Sequence, residues 1–72
     1  MVNLMDYVVI VEQGNTSFGA YVPDLPGCVA VGESKDEAME LIREAIGMHI
    51  ENLRENDEPV PRPHSFVEKI AV

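Results

Sequence analysis

The chain has 72 residues, a formal net charge of −8 and one cysteine, Cys28. This length allows one domain, residues 1–72, and the hydrophobic content of 46% argues against disorder. One cysteine excludes an internal disulfide, and the acidic excess disfavours binding to nucleic acid phosphates. Because no segment resembles a membrane span or a signal peptide, we expect a cytoplasmic protein.

Small size predicts self-association. A domain of this length buries a modest share of its surface, and here no disulfide compensates. We therefore expect a homodimer or homotetramer. The acidic charge favours a basic partner, which it would attract at long range, although charge also serves solubility.

The first half of the chain predicts three antiparallel strands. Tyr7–Val11 is β-branched and aromatic, and its unbroken apolar character favours a central strand or one covered on both faces. A turn leads to a second strand, Ser17–Val22, whose alternation places Phe18 and Ala20 on one face. The Pro-Asp-Leu-Pro-Gly segment at 23–27 interrupts the ladder, and Cys28–Val31 resumes it.

A long amphipathic helix is expected next. Ser34 and Glu37 form a capping box at its start, and the pattern ends near Asn56. Its apolar stripe comprises Ala38, Leu41, Ile42, Ala45, Ile46, His49 and Leu53. The stripe is wider than packing on one sheet requires, which predicts a dimer or core seam at Met39, Met48, His49 and Ile50.

The last part of the chain predicts a crossover and a fourth strand. Three prolines within residues 57–64 favour an extended loop, and Ser65–Val72 has strand character. A crossover to a strand parallel to the third should be right-handed. The expected fold is a two-layer α+β domain of order β-β-β-α-β, with the helix on one sheet face.

The chain resembles the HicB family of antitoxins. The resemblance rests on the opening strand from Tyr7, the segment Phe18–Cys28, the helix start at Glu37-Ala38 and the loop Val60–Pro63. It implies a partial RNase H-like fold, an oligomer, and binding to a HicA-type toxin that cuts mRNA. Many relatives carry a C-terminal DNA-binding module. None follows the last strand in this sequence, so direct DNA binding is not expected.

Two groups of residues are candidate partner contacts. Asp24 and Leu25 lie in the loop that carries the most specific part of the resemblance, although Pro23, Pro26 and Gly27 also suit a purely structural corner. Acids on the polar helix face form the second group, which comprises Glu40, Glu44 and Glu51. Such acids could act as phosphate mimics on a toxin's RNA-binding surface.

Two other functional classes remain open at this point. An RNase H-like outline raises a metal-dependent nuclease that would use Glu12, Asp24 and Glu68, although only Glu68 lies within a predicted strand. A generic protein-interaction domain is the third reading. Cys28 begins an apolar strand, and His49 and His64 are isolated in sequence, so we expect no catalytic cysteine, no metal site and no cofactor.

Overall fold

The computed structural model describes residues 6–72. The start of the chain, where a signal peptide was sought and not expected, lies mostly outside the described residues. Three strands and one helix form in chain order. They are β1 Ile10–Gln13, β2 Phe18–Tyr21, β3 Val29–Gly32 and α1 Lys35–Glu55. The sheet has the order β1-β2-β3 and both pairings are antiparallel. The predicted α+β class, with three antiparallel strands before a helix, is confirmed.

The first strand begins later than its composition predicts, and it lies at an edge of the sheet, with β2 in the centre. Its pairing with β2 starts at Ile10 and Tyr21. Continuing this register would place Val8 opposite Pro23, which has no N–H to donate. The proline therefore ends the ladder, although residues 7–9 have high strand propensity.

The core lies between the sheet and α1. Ala20, Val22 and Cys28 contribute from the sheet side, and Ala38 and Ile42 from the helix. Leu25, from the loop between β2 and β3, is fully buried. The opposite sheet face is open, and it exposes Tyr21, Val29 and Val31. The predicted alternation in the second strand and the helix on one face are both observed.

Close contact between the end of β3 and the start of α1 requires a glycine. A Cβ atom at Gly32 would lie 2.6 Å from the backbone nitrogen of Ala38. Ser34 then caps the helix, since its Oγ accepts a hydrogen bond from the Glu37 N–H at 3.1 Å. The Glu37 carboxylate reaches back to the N–H of Glu33 at 2.8 Å, one residue before the cap. The capping box thus fixes a sharp strand-to-helix turn.

The predicted fourth strand is not formed. Residues 58–72 have no regular secondary structure, and the sheet contains three strands among the described residues. The expected right-handed crossover to a parallel strand is therefore not found within residues 6–72. Strand propensity cannot replace a hydrogen-bonding partner, and Ser65 is instead held by a side chain of the β2–β3 loop. The partial RNase H-like classification stays a prediction.

Candidate functional site

A buried carboxylate joins the two ends of the structure. Asp24, in the loop between β2 and β3, is 2% exposed. One of its oxygens accepts hydrogen bonds from the backbone N–H groups of His64 at 2.9 Å and Ser65 at 3.0 Å. The other accepts from the Ser65 hydroxyl at 2.6 Å and lies 3.1 Å from His64 Nε2. We call this arrangement the clamp.

The clamp stabilises the ionised form of Asp24. The hydrogen bond from the Ser65 side chain, with those from the two backbone N–H groups, lowers the pKa of this carboxyl below its ordinary value. Burial acts in the opposite direction and is outweighed. The His64 imidazole is largely exposed, and it adds an ion pair when it is protonated. The carboxylate thus has four contacts, all with the chain segment that follows the helix.

The loop that carries Asp24 is a packed corner. Leu25 donates its N–H to the carbonyl oxygen of Val22 at 3.1 Å, and Cys28 donates to that of Leu25 at 3.1 Å. Gly27 has a φ of 84°, a conformation that L side chains rarely adopt. Asp24 and Leu25, both predicted as partner contacts, have their side chains directed into the chain. Their surroundings are those of the purely structural corner that the sequence also allowed for this loop.

A second contact holds the post-helix segment near β1. The Tyr7 hydroxyl donates a hydrogen bond to the carbonyl oxygen of Pro61. Burial, followed by the nearby Asp24 charge, raises the pKa of Tyr7, so the group stays a neutral donor at physiological pH. Beyond this contact, Pro63 and Ser65 are partly buried while Arg62 and His64 are exposed. The alternation fits the extended conformation that the prolines predict.

The acids predicted to meet a partner lie on the outer face of α1. Glu40, Glu44 and Glu51, together with Glu55 on the same face, form what we call the acidic stripe, and all four are exposed. At 100° per residue these positions fall within about 60° of one another around the helix axis. Exposed Gly47 lies midway along the stripe and leaves room there for an approaching surface. The structure thus offers a continuous negative ridge on the exposed side of the helix, and Glu44 also borders the groove between α1 and the start of β3.

The predicted seam residues divide between two environments. Met39 packs against the core, and Ile50 is partly buried. Met48 is 69% exposed and borders, with the partly buried His49, a shallow groove between α1 and the start of β3. The groove has a volume of about 430 Å³. Only part of the predicted seam therefore belongs to the core of the single chain.

The structure does not assemble a nuclease site from the predicted acids. Glu12 is exposed on β1, Asp24 is buried in the clamp, and Glu68 is exposed near the C-terminus. Within residues 6–72, no three His, Cys, Asp or Glu side chains lie together as metal ligands would. Cys28 is a free, buried thiol, and burial raises its pKa, which disfavours the nucleophilic thiolate.

Comparison with known proteins identifies the family. The sequence model described as the HicB-like antitoxin of bacterial toxin-antitoxin systems matches residues 7–71, nearly the whole chain. The chain belongs to the HicB-like antitoxin family. The match begins at Tyr7 and passes through the whole clamp, so both parts of the clamp lie inside the family domain. The resemblance drawn from the sequence is confirmed.

Relatives of this HicB-like chain occur in a phage, an archaeon and a cyanobacterium. It is 38% identical to an uncharacterised 14.9 kDa protein of Haemophilus phage HP1, over 92% of this chain and 50% of the phage protein. It is 39% identical to a UPF0150 protein of Thermoplasma acidophilum, over 85% of this chain and 90% of that one. A UPF0150 protein of Synechocystis is 31% identical, over 96% and 89%. The chain thus spans half of the phage relative and most of the other two.

Sequence reasoning missed the partners of Asp24. His64 and Ser65 are 40 and 41 positions away along the chain, and no local pattern connects them. The one available signal was an acid between two prolines in a loop whose other residues are apolar or glycine, since a buried acid needs donors.

A membrane-spanning helix is not found within residues 6–72, because α1 is too polar to lie in a bilayer.

Proposed function

We propose that this HicB-like chain neutralises a HicA-type, mRNA-cleaving toxin by covering the toxin's RNA-binding surface. The observation that carries the proposal is the exposed acidic stripe on α1. A toxin that grips RNA needs a positive surface for the phosphates, and a ridge of carboxylates is complementary to such a surface. The net charge of −8 would also speed the encounter.

The spacing of the acids supports a role outside helix stability. Glu40 with Glu44, and Glu51 with Glu55, are like-charged pairs four residues apart on one helix face. Each such pair costs an isolated helix about 0.2–0.5 kcal/mol. Binding to a basic surface would offset this repulsion, because both carboxylates of a pair would then be attracted to cationic groups of the partner.

Inhibition by occlusion needs no chemistry from the antitoxin. The buried thiol of Cys28 and the dispersed acids of the nuclease hypothesis offer no reacting group on the acidic stripe. The antitoxin would act by occupying space and by supplying charge. Long-range electrostatics would then set the rate at which antitoxin and toxin associate. The dissociation rate of the complex would account for most of the affinity.

A charge-reversal experiment tests the contact. The triple variant Glu40→Lys, Glu44→Lys, Glu51→Lys should lose neutralisation of a co-expressed HicA-type toxin while keeping its circular dichroism spectrum. The matched control reverses three other exposed acids, Glu12, Glu33 and Glu58, with the same total change of charge. The control should associate more slowly but still neutralise. Equal neutralisation by the two variants would show that the stripe is not the contact.

Salt dependence separates steering from contact. Raising ionic strength from low to physiological should slow association several-fold, because exposed charges are screened beyond about 8–10 Å. The dissociation rate should change much less. Stopped-flow association rates that are insensitive to salt would contradict electrostatic guidance, and would favour an apolar grip by the open sheet face.

A further inference from the structure

The C-terminal end of the chain is apolar and exposed. We call residues 66–72 the C-terminal arm. Phe66 is 88% exposed, Ile70 83% and Val67 64%, whereas most side chains of this kind are buried in small proteins. The arm follows directly from Ser65 of the clamp, and its residues have strand propensity but no strand partner among residues 6–72. An unpaired apolar segment of this kind needs a cover.

An unpaired edge of the sheet has matching properties. β3 is an outer strand, and its pairing with β2 fixes which backbone groups point outwards. The Val22 N–H donates to the carbonyl oxygen of Cys28. By the alternation of antiparallel ladders, the backbone groups of Val29 and Val31 then point away from β2. They present donors and acceptors to an added strand.

Apolar side chains flank this edge on both faces of the sheet. Val29 and Val31 are 64% and 65% exposed on the open face. On the helix side, α1 lines the groove with apolar Leu41, Ala45 and Met48 and with polar Glu44, His49 and Asn52, opposite the start of β3. No residue of β1 or β2 lines the groove, which places it on the β3 side of the domain. The edge of β1 differs, since Glu12 and Gln13 end that strand with polar groups.

We propose that the C-terminal arm of a second copy of this chain adds as a strand along the open edge of β3. An added strand alternates its side chains, so Phe66 and Ile70 would lie on one face of the sheet and Val67 on the other. Apolar side chains lie beside β3 on both faces, with Val29 and Val31 on one and Leu41, Ala45 and Met48 on the other, so both sides of the arm find cover. Backbone hydrogen bonds to Val29 and Val31 supply the pairing, as in other cases of strand addition.

Reach and charge fit this occupant. Seven residues of extended chain span about 23 Å, and the four residues of β3 need about 13 Å. The arm carries one acid, Glu68, and one base, Lys69, so its side chains add no net charge to approach an acidic domain. Reciprocal exchange of two arms gives a closed two-fold dimer. This inference is independent of toxin binding, and its test uses the chain alone.

Hydrogen exchange followed by NMR, together with light scattering, tests the exchange. At millimolar concentration the protein should have the mass of a dimer, and the amides of Val29 and Val31 should be protected at least tenfold relative to dilute protein. The arm variant Phe66→Asp, Ile70→Asp should be a monomer with rapid exchange at both amides. The control Asn15→Asp, Thr16→Asp adds the same charge in the exposed β1–β2 turn and should remain a dimer.

An edge variant completes the experiment. Val31→Pro removes an outward N–H and spares the pairing with β2, so it should also be a monomer. Mixing the arm variant with the edge variant should restore association, because one intact arm then meets one intact edge. The proposal is overturned by a monomeric wild type, by a dimer that survives both variants, or by a mixture that does not associate. Protection of Val29 and Val31 in a monomer would show that the chain's own arm covers the edge.

Discussion

The body of the domain, residues 6–55, and the segment after the helix are held in different ways. The body is stabilised by burial, with Leu25, Ala38 and Ile42 each at most 1% exposed. The segment from 56 to 72 contributes no fully buried side chain. It is fixed at the Asp24 clamp and at the Tyr7–Pro61 hydrogen bond, and beyond Ser65 its apolar side chains are exposed. The body is thus held by its core, whereas the segment is held by a few polar contacts and leaves its apolar end exposed.

Core truncation should give the largest effect and should separate the two regions. Ile42→Ala removes a 1% exposed side chain from the core, and we expect a loss of about 2–5 kcal/mol in the free energy of unfolding. A domain of this length has roughly 4–11 kcal/mol in total, so the variant should be close to unfolding at physiological temperature. Urea denaturation followed by circular dichroism measures the loss.

The matched truncation in the arm is Phe66→Ala. In dilute protein it should change the free energy of unfolding by less than about 0.5 kcal/mol, as at other exposed positions. In concentrated protein it should be destabilising if arms are exchanged, because association stabilises the folded state. A large loss for Phe66→Ala in dilute protein would show that the arm packs within its own chain.

Removing the clamp charge should release the segment and leave the body folded. Asp24→Asn substitutes a donor amide for one of the accepting oxygens that bind His64 and Ser65. We expect the amides of both residues to lose protection, while those of α1 keep theirs. Hydrogen exchange at single residues measures this, with Glu58→Gln as an exposed control. Loss of protection throughout α1 would mean that the clamp is part of the global core.

The same carboxylate predicts a response to acid. Because the pKa of Asp24 is lowered in the folded state, its contribution is present above the ordinary aspartate range, about 4, and is lost as pH falls through the folded pKa. The amide shifts of His64 and Ser65 should therefore titrate with a midpoint below that range in wild type. Asp24→Asn should abolish the transition. A midpoint at or above the ordinary aspartate value would contradict a clamp that favours the carboxylate.

The junction of the two regions should give the smallest effect, and a gain. Asp57 follows the helix cap at a φ of 56°, a left-handed conformation. Its N–H donates to the carbonyl oxygen of Arg54, and that of Glu58 donates to Leu53, in the arrangement that glycine favours. Asp57→Gly should raise the free energy of unfolding by about 0.5 kcal/mol, since relief of backbone strain outweighs the added freedom of the unfolded chain. A lower urea midpoint would contradict this.

Local patterns predicted what is decided within a few residues of sequence. The three strands, the helix start at Ser34 and its apolar stripe follow from side-chain periodicity and capping. The start of β1 was misplaced by three residues because its limit is set by Pro23, which follows the partner strand β2. The prediction of a fourth strand was wrong for a related reason. Residues 65–72 have the composition of a strand, but a strand forms only where the edge of a sheet is available to pair with it. Neither fact is visible in the segment concerned.

The sequence by itself determined the family, the class of fold and the acidic character, because these depend on periodicity, composition and a recognisable run of residues. Tertiary structure alone decided that Asp24 points inwards to Ser65, that β1 is an edge strand, and that the open side of β3 lies beside the groove of α1 that contains Leu41, Ala45 and Met48. Each of these brings together groups far apart along the chain. Such contacts depend on the register of strands and the packing of the helix, and no local preference encodes them.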